Sequence, residues 1–216
     1  LVDLERKILD SSSKTLLLSH MRGHICDMDR LMEICTSAGV LVIEDCAHTM
    51  GAKWGDVPSG RHGIAACYST QTYKHANSGE GGILTSDDDD LMARAIIMSG
   101  SYMLYERHLA RPPSDAFERV KYDTPNISGR MDNLRAAILR PQMARLDARC
   151  VAWNRRYRAV EHELRNTIGL RLIERLPQER FVGSSIQFLL ADWRKRDIEK
   201  VLEKCRIRGV ELKWFG

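Results

Sequence analysis

The sequence lacks the features that most directly mark a membrane, secreted or nucleotide-binding protein. No apolar run reaches the roughly 18 residues that a membrane-spanning helix requires. The first residues do not have the basic and apolar pattern of a signal peptide. Neither a GxxxxGK(S/T) motif nor a GxGxxG motif after the first predicted strand is present, which argues against ATP, GTP and dinucleotides as ligands. We therefore expect no membrane partner.

The spacing of the cysteines and the distribution of charge further restrict the class of protein. The six cysteines are spread along the chain without a CxxC pair, and this spacing favours reduced thiols in a cytoplasmic protein. The net charge is only +4, and the arginines of the second half are mixed with acidic residues. A nucleic-acid partner is therefore disfavoured, because such proteins cluster their basic residues.

Apolar runs alternate with helical stretches over the first hundred residues. The runs predict strands, and an amphipathic stretch that ends at Gly39 predicts a helix. The predicted strands are residues 15–20, 40–45, 64–68 and 82–85, and the predicted helix is residues 27–38. This alternation predicts an α/β fold with a mostly parallel sheet. The four aspartates at 87–90 are interpreted as the start of a helix rather than a metal site.

The pattern changes after Arg130. Apolar residues then recur every three to five positions, which predicts a long helical region that is bent or interrupted at Pro141. Further strands are predicted at 170–173, 185–190 and 210–214, and a helix at 197–206. We expect residues 1–150 to form part of a large domain and residues 151–216 to begin a small α+β domain. Both ends of the chain lie inside patterned segments, so we expect a part of a longer protein.

Three groups of residues are candidates for chemistry. Asp45 ends a predicted strand, where side chains face the ligand crevice of such sheets, although a capping or loop aspartate is an equally good interpretation. Ser69 and Lys74 follow the next strand, and a hydroxyl with a cation suits a phosphate. A lysine held in a pocket also attacks carbonyl carbons, although a surface position is commoner for any single lysine. The glycine-rich segment 79–82 lets the backbone pass close to a ligand.

The order and spacing of these residues resemble the DegT/DnrJ/StrS family of nucleotide-sugar aminotransferases. These are fold-type-I transferases that depend on pyridoxal 5′-phosphate (PLP). The resemblance begins near Leu4 and is strongest between His20 and Gly82. It is carried by Ser19-His20 through Gly23, Asp27-Met28-Asp29, Val42 through His48, Gly51-Ala52, Tyr68-Ser69, Lys74, Gly79 through Gly82, and Arg130-Met131 with Leu134 and Ala136-Ala137.

The resemblance implies a role for each candidate near the sheet. Asp45 matches the aspartate that pairs with the protonated ring nitrogen of PLP, and Ser69 matches a phosphate-binding hydroxyl. Lys74 matches the catalytic lysine, which forms a Schiff base with PLP and then moves a proton as base and acid. His48 matches a position beside the phenolic oxygen of PLP, with a packed histidine as the alternative.

The same resemblance implies partners and a reaction. Asn126 matches an asparagine that binds the cofactor phosphate of the neighbouring subunit, with Ser128 as a competitor, and this implies a homodimer with a shared active site. The implied reaction moves an amino group from glutamate to a keto-sugar nucleotide without a metal. Two alternatives stay open: a PLP-binding regulator or inactive relative without turnover, and a PLP-dependent sugar dehydratase. Such dehydratases carry histidine in place of the lysine, and His75 beside Lys74 leaves a one-residue shift in the match open.

Overall fold

The computed structural model describes residues 1–100 and 103–215. The helices are α1 (Val2–Asp10), α2 (Met28–Ser37), α3 (Asp89–Met98), α4 (Ser114–Val120), α5 (Asn133–Met143), α6 (Leu146–Arg165) and α7 (Lys195–Ile207). The strands are β1 (Thr15–Ser19), β2 (Leu41–Asp45), β3 (Lys53–Trp54), β4 (Val57–Pro58), β5 (Ala65–Ser69), β6 (Gly82–Ser86), β7 (Arg171–Leu172), β8 (Glu179–Arg180) and β9 (Phe188–Leu189). Among the described residues, no helix combines the length and apolar character needed to cross a bilayer.

The central sheet has the strand order β1-β2-β5-β6. The strands β1, β2 and β5 are parallel, whereas β6 is antiparallel to β5. The register pairs Ser19 with Asp45 and Asp45 with Cys67, so the three parallel strands end at one edge. Gly82 pairs with Ser69, so β6 begins at that same edge. The predicted α/β fold with a mostly parallel sheet is confirmed.

Helix α2 packs its apolar face on the sheet. The Asp27 side chain accepts the Arg30 N–H at 3.0 Å, which satisfies one of the free donors at the helix start. Met28 and Leu31 are fully buried in one cluster with Val42 of β2. Burying each such side chain contributes about 1.5 to 3 kcal/mol. The helix therefore stabilises the middle strand of the parallel set.

The buried Glu44 carboxylate joins three segments of the chain. Its Oε2 accepts the Gly60 N–H at 2.9 Å and lies 3.0 Å from His20 Nε2. Its Oε1 accepts the N–H groups of His62 at 2.8 Å and Gly63 at 2.9 Å. Burial by itself raises the pKa of Glu44, but these contacts outweigh burial and hold the pKa well below its usual value. Glu44 is therefore charged and fully engaged.

The same contacts explain the one group of potential metal ligands in the described residues. Atoms of His20, Glu44 and Cys46 lie within 4.8 Å of one another. Both Glu44 oxygens already accept two partners, and Cys46 Sγ lies 3.4 Å from Ser59 Oγ. The cluster is accounted for as a hydrogen-bonded core.

Most predicted elements are confirmed. The strands β1, β2, β5 and β6 and the helix α2 lie within about one residue of their predicted bounds, in keeping with the ambiguity of element ends. Helix α3 begins at Asp89, and the Asp88 carboxylate accepts the Leu91 N–H at 2.8 Å. The interpretation of the aspartates as a helix start is therefore confirmed. Strands β7 and β9 and helix α7 also occupy their predicted places.

The long helical region predicted after Arg130 is found as α5 and α6, but its interruption lies at residues 144–145 rather than at Pro141. Helix α5 continues through Pro141 to Met143, and Ala144 N–H still reaches Arg140 O. The strand predicted at 210–214 is wrong. Residues 210–214 do not form a strand, since β7 and β9 pair only with each other in the described sheets. The division at residue 150, which lies inside the continuous helix α6, stays a prediction.

We predict that Glu44→Gln removes an acid-dependent part of the stability. The pKa of Glu44 is lower in the folded chain than its usual 4.5, so its contribution is present above pH 4.5 and is lost as pH falls toward the folded pKa. The amide loses the charged hydrogen bonds, which lowers the unfolding free energy at pH 7 by about 1.5 to 3 kcal/mol. Denaturant unfolding at pH 7 and at pH 4 measures both effects.

The control is Glu33→Gln, which changes an exposed carboxylate paired with Arg30. It should alter the unfolding free energy by no more than about 0.5 kcal/mol. Equal losses in the two variants, or an unchanged pH dependence in Glu44→Gln, contradict the role of Glu44.

Candidate active site

The carboxyl edge of the central sheet gathers the candidate residues. Asp45 ends β2 and Ser69 ends β5. The loop after β5 carries Lys74, and the segment 79–82 leads into β6 at this edge. The strand register thus brings these residues, which are far apart in the sequence, to one end of the sheet.

Asp45 is held by two hydrogen-bond donors. The Ser19 hydroxyl at the end of β1 donates to Oδ2 at 2.9 Å, and the Ala47 backbone N–H donates to Oδ1 at 3.1 Å. A carboxylate offers about four acceptor positions, so Asp45 retains capacity for a further donor. Its side chain is half-buried and therefore accessible to a ligand.

Lys74 lies against His48, with 3.2 Å between Lys74 Nζ and His48 Nε2. Burial lowers the pKa of Lys74, Asp45 opposes this, and the charge of Arg22 adds to it. Burial, Lys74 and Arg22 also lower the pKa of His48, so its imidazole is neutral at pH 7 and Nε2 accepts from the Lys74 ammonium. Lys74 therefore loses its proton more readily than a surface lysine, as a nucleophile requires.

The backbone of Lys74 is fixed by a closed loop. Lys74 N–H donates to Gln71 O at 2.9 Å, and Thr70 N–H donates to Gly81 O at 2.9 Å. Gly81 has a φ of 137°, and a Cβ there would lie 2.8 Å from Thr70 Oγ1. Only glycine closes the loop without displacing its neighbours. The glycine-rich segment therefore helps to fix the position of Lys74.

Ser69 keeps a donor available for a ligand. Its Oγ accepts the Gln71 N–H at 3.3 Å. In the part of the chain that the structure describes, no acceptor takes the proton of the Ser69 hydroxyl. A free hydroxyl donor at this edge suits an anionic oxygen.

His75 points away from the sheet edge. It is 4% exposed, its Nδ1 lies 2.9 Å from Met50 O, and its Nε2 lies 2.8 Å from Ser184 Oγ. Its ring is 5.2 Å from the ring of Trp153. Both nitrogens are engaged, so His75 is a packed interior residue. The geometry favours Lys74, rather than His75, as the side chain that faces a ligand.

Asn126 lies apart from this cluster. It is exposed on a loop beside the end of α3, where Ile127 N–H donates to Met98 O at 3.0 Å. Asn126 Oδ1 accepts the Ser128 N–H at 2.8 Å. Across residues 1–100 and 103–215, no hydrogen bond joins Asn126 or Ser128 to Lys74. Their roles at the phosphate of a neighbouring subunit stay predictions.

Sequence reasoning missed two residues near the site. Ser19 on β1 pairs in register with Asp45 on β2. The hydroxyl residue at the end of the neighbouring strand was the sequence feature that could have revealed it. Arg22 follows β1 directly and acts electrostatically on Lys74 and His48. The signal for Arg22 was a basic residue just beyond the carboxyl end of a parallel strand.

The loop after β1 is held by the second half of the chain. Arg175 Nη1 donates to Gly23 O at 2.9 Å, and Glu179 Oε1 accepts the Ile25 N–H at 3.0 Å. Arg175 and Glu179 form a buried ion pair, and the guanidinium lies 4.1 Å from the centre of the Phe181 ring. This pair fixes the backbone on which Arg22 stands.

The residues at the edge fit PLP. Asp45 has acceptor capacity for a protonated ring nitrogen, and Ser69 has a donor for a phosphate oxygen. Lys74 has a lowered pKa and stands on a fixed backbone next to a neutral histidine. The mostly parallel sheet and this set of groups define part of a fold-type-I PLP-dependent transferase.

The chain belongs to the DegT/DnrJ/EryC1/StrS aminotransferase family, whose model matches residues 2–215. PLP is the cofactor of this family. The chain is 32% identical to the GDP-perosamine synthase of Caulobacter vibrioides over 148 residues, which cover 68% of this chain and 37% of that protein. It thus spans little more than a third of this curated relative.

Two solved structures have the same fold. AtS13 from Actinomadura melliaura matches with a TM-score of 0.78 and 27% identity over 97% of this chain and 54% of that chain. The E. coli GDP-4-keto-6-deoxy-D-mannose-3-dehydratase with bound hydrated PLP matches with a TM-score of 0.81 and 17% identity, over 97% of this chain and 55% of that chain. The second likeness shows the fold alone.

We predict that Arg175→Met destabilises the chain by about 3 kcal/mol or more, because it leaves the buried Glu179 carboxylate without its cation. Hydrogen exchange at the Ile25 amide should also accelerate. Denaturant unfolding and amide exchange measured by NMR check the two effects.

The matched control is Arg180→Met, which breaks an exposed ion pair with Asp56. That change should cost less than about 1 kcal/mol. If the two methionine variants unfold alike, the Arg175–Glu179 pair does not hold the loop.

Proposed function

We propose that Lys74 carries PLP and that the whole protein transfers the amino group of glutamate to the keto group of a sugar nucleotide. The main support for this proposal is the contact between Lys74 and the neutral His48. The contact lies at the sheet edge where Asp45 and Ser69 end their strands. Family membership and the likeness to a GDP-perosamine synthase support the nucleotide-sugar substrate.

When bound, PLP supplies a carbon that takes up the amino group and a ring that accepts the electron pair of the substrate carbon. Asp45 would hold a proton at the ring nitrogen, because a carboxylate stabilises the protonated form. Ser69 would donate its hydroxyl to a phosphate oxygen, and His48 would be the neighbour of the phenolic oxygen. Lys74, once released, would take the proton from the carbon of the donor and, in the second half of the reaction, would give a proton to the carbon of the acceptor.

The dehydratase alternative requires a histidine in the place of the lysine, and His75 does not take that place. His75 is buried with both ring nitrogens engaged, whereas Lys74 is half-buried and its amine lies next to His48. A lysine at this point supports amino transfer. A PLP-binding relative without turnover shares this geometry, so amine transfer itself must be measured.

A homodimer with a shared site forms part of this proposal. The loop with Asn126 is exposed, and helix α5 exposes Leu134 and Ile138. A second copy that covers this surface brings its Asn126 to the cofactor phosphate at the sheet edge of its neighbour. The spread of free cysteines supports a cytoplasmic location.

We predict that Lys74→Ala abolishes the covalent attachment of PLP. The full chain is incubated with PLP and treated with borohydride, and the modified peptide is located by mass spectrometry. Wild-type protein should carry the label on Lys74 and should form glutamate-derived 2-oxoglutarate with a keto-sugar nucleotide, whereas Lys74→Ala should do neither.

Lys53→Ala is the control, because Lys53 is exposed on β3 away from the sheet edge. Its labelling and turnover should equal those of wild type. A label on another lysine contradicts the assignment of Lys74. A label on Lys74 without amine transfer to any keto-sugar nucleotide favours the relative without turnover.

A further inference from the structure

Arg22 has a backbone conformation that arginine rarely adopts. Its φ is 57° and its ψ is 22°, in the left-handed region that glycine and asparagine enter more readily. Such conformations persist where the surrounding structure holds them, and they concentrate at functional sites. Here the buried Arg175–Glu179 pair holds the following residues, Gly23 through Ile25.

The turn that carries Arg22 packs on the active site. His20 N–H donates to Asp45 O at 3.1 Å, and a Cβ on Gly23 would lie 3.0 Å from His48 O. After burial, the positive charge of Arg22 contributes to the lowered pKa of both Lys74 and His48. The contacts of His20 and Gly23 place the turn that carries Arg22 against the backbone of Asp45 and His48.

The Arg22 guanidinium has no acidic partner among the described residues. Its side chain is half-buried, and its recorded contact is with the ring of Phe215, whose centre lies 5.1 Å away. Arginines elsewhere in the chain, such as Arg119, pair with carboxylates. The acidic residue that lines the same cavity, Glu211, pairs with Lys213 at 3.4 Å. A half-buried cation without an acid is prepared for an anionic ligand.

Arg22 also lines a cavity of about 680 Å³ that extends toward β9, α7 and residues 211–215. A cavity of this size accommodates a small metabolite. Arg22 lines this cavity and also belongs to the turn that packs on Asp45 and His48, so it stands between the cavity and the sheet edge.

We propose that Arg22 binds a carboxylate of the amino-acid donor. This inference rests on the proposed amino transfer at Lys74. The donor nitrogen must reach the carbon held at Lys74, and its α-carboxylate is attached one carbon away, so a guanidinium on the turn next to His48, the neighbour of Lys74, suits a bidentate pair with it. In a nucleotide sugar the diphosphate is separated from the keto carbon by part of the sugar ring, which places that anion further from Lys74.

The test uses Arg22→Asn, Arg22→Lys and the control Arg30→Gln in the PLP-loaded full chain. Asparagine removes the charge but tolerates the left-handed backbone, and lysine retains the charge without the bidentate fork. Arg30 is exposed on α2 and pairs with Glu33, so its loss removes the same charge away from the site. Calorimetry measures the binding of glutarate, an unreactive dicarboxylate, with glutaramide as its uncharged counterpart.

We expect Arg22→Asn to weaken glutarate binding by about 10-fold to 100-fold, as expected for the loss of a charged hydrogen-bonded pair. Glutaramide binding should not respond. The KM for glutamate should rise by a similar factor while the KM for the sugar nucleotide stays within about twofold of wild type, since uniform binding of one substrate is lost. Arg22→Lys should recover part of the affinity, and Arg30→Gln should behave as wild type.

Unchanged glutarate binding in Arg22→Asn overturns the inference. A rise in KM for the sugar nucleotide alone also overturns it, because it assigns Arg22 to the diphosphate. If wild-type protein transfers no amine but binds glutarate through Arg22, the proposed function fails while the anion site stands.

Discussion

The site depends on the buried Glu44 carboxylate. Glu44 and Asp45 are neighbours on β2, and successive side chains of a strand point to opposite faces. Glu44 accepts four contacts from the end of β1 and from the loop before β5, which fixes the edge on one face. Asp45 is thereby left at the end of the strand for a ligand. A buried carboxylate is tolerated only when it is fully hydrogen-bonded. The hydrogen bonds of Glu44 are therefore required both for the fold of this edge and for the position of Asp45.

The edge also has a definite electrostatic character. Lys74 and Arg22 are cationic, His48 is neutral at pH 7, and Asp45 supplies a single carboxylate. A crevice with excess positive charge attracts anions. PLP and a nucleotide sugar both carry phosphate groups, and an amino-acid donor carries carboxylates. The same positive charge therefore suits PLP and both proposed substrates. Because charge alone does not distinguish these anions, selectivity among them needs specific contacts.

Local signals predicted the fold and part of the site. The apolar runs, the helical pattern that ends at Gly39 and the glycines of segment 79–82 act over a few residues, so their consequences were visible in the sequence. The clamp on Gly23 by Arg175 joins residues 152 positions apart, and no short pattern reveals such a contact. Proline disfavours the interior of a helix, but α5 passes through Pro141 two residues before its end, where the Ala144 N–H still bonds Arg140 O.

The proposed donor site at Arg22 would couple donor binding to proton transfer. In the free site the charge of Arg22 contributes to the lowered pKa of Lys74. If a donor carboxylate binds Arg22 as proposed, it would offset that charge and raise the pKa of Lys74. Lys74 would then be a stronger base at the step in which, under the proposed function, it takes the proton from the substrate carbon. Because binding linkage is reciprocal, protonation of Lys74 would strengthen the binding of the same carboxylate. On these proposals, one arginine would favour the unprotonated lysine before the donor binds and a more basic lysine afterwards.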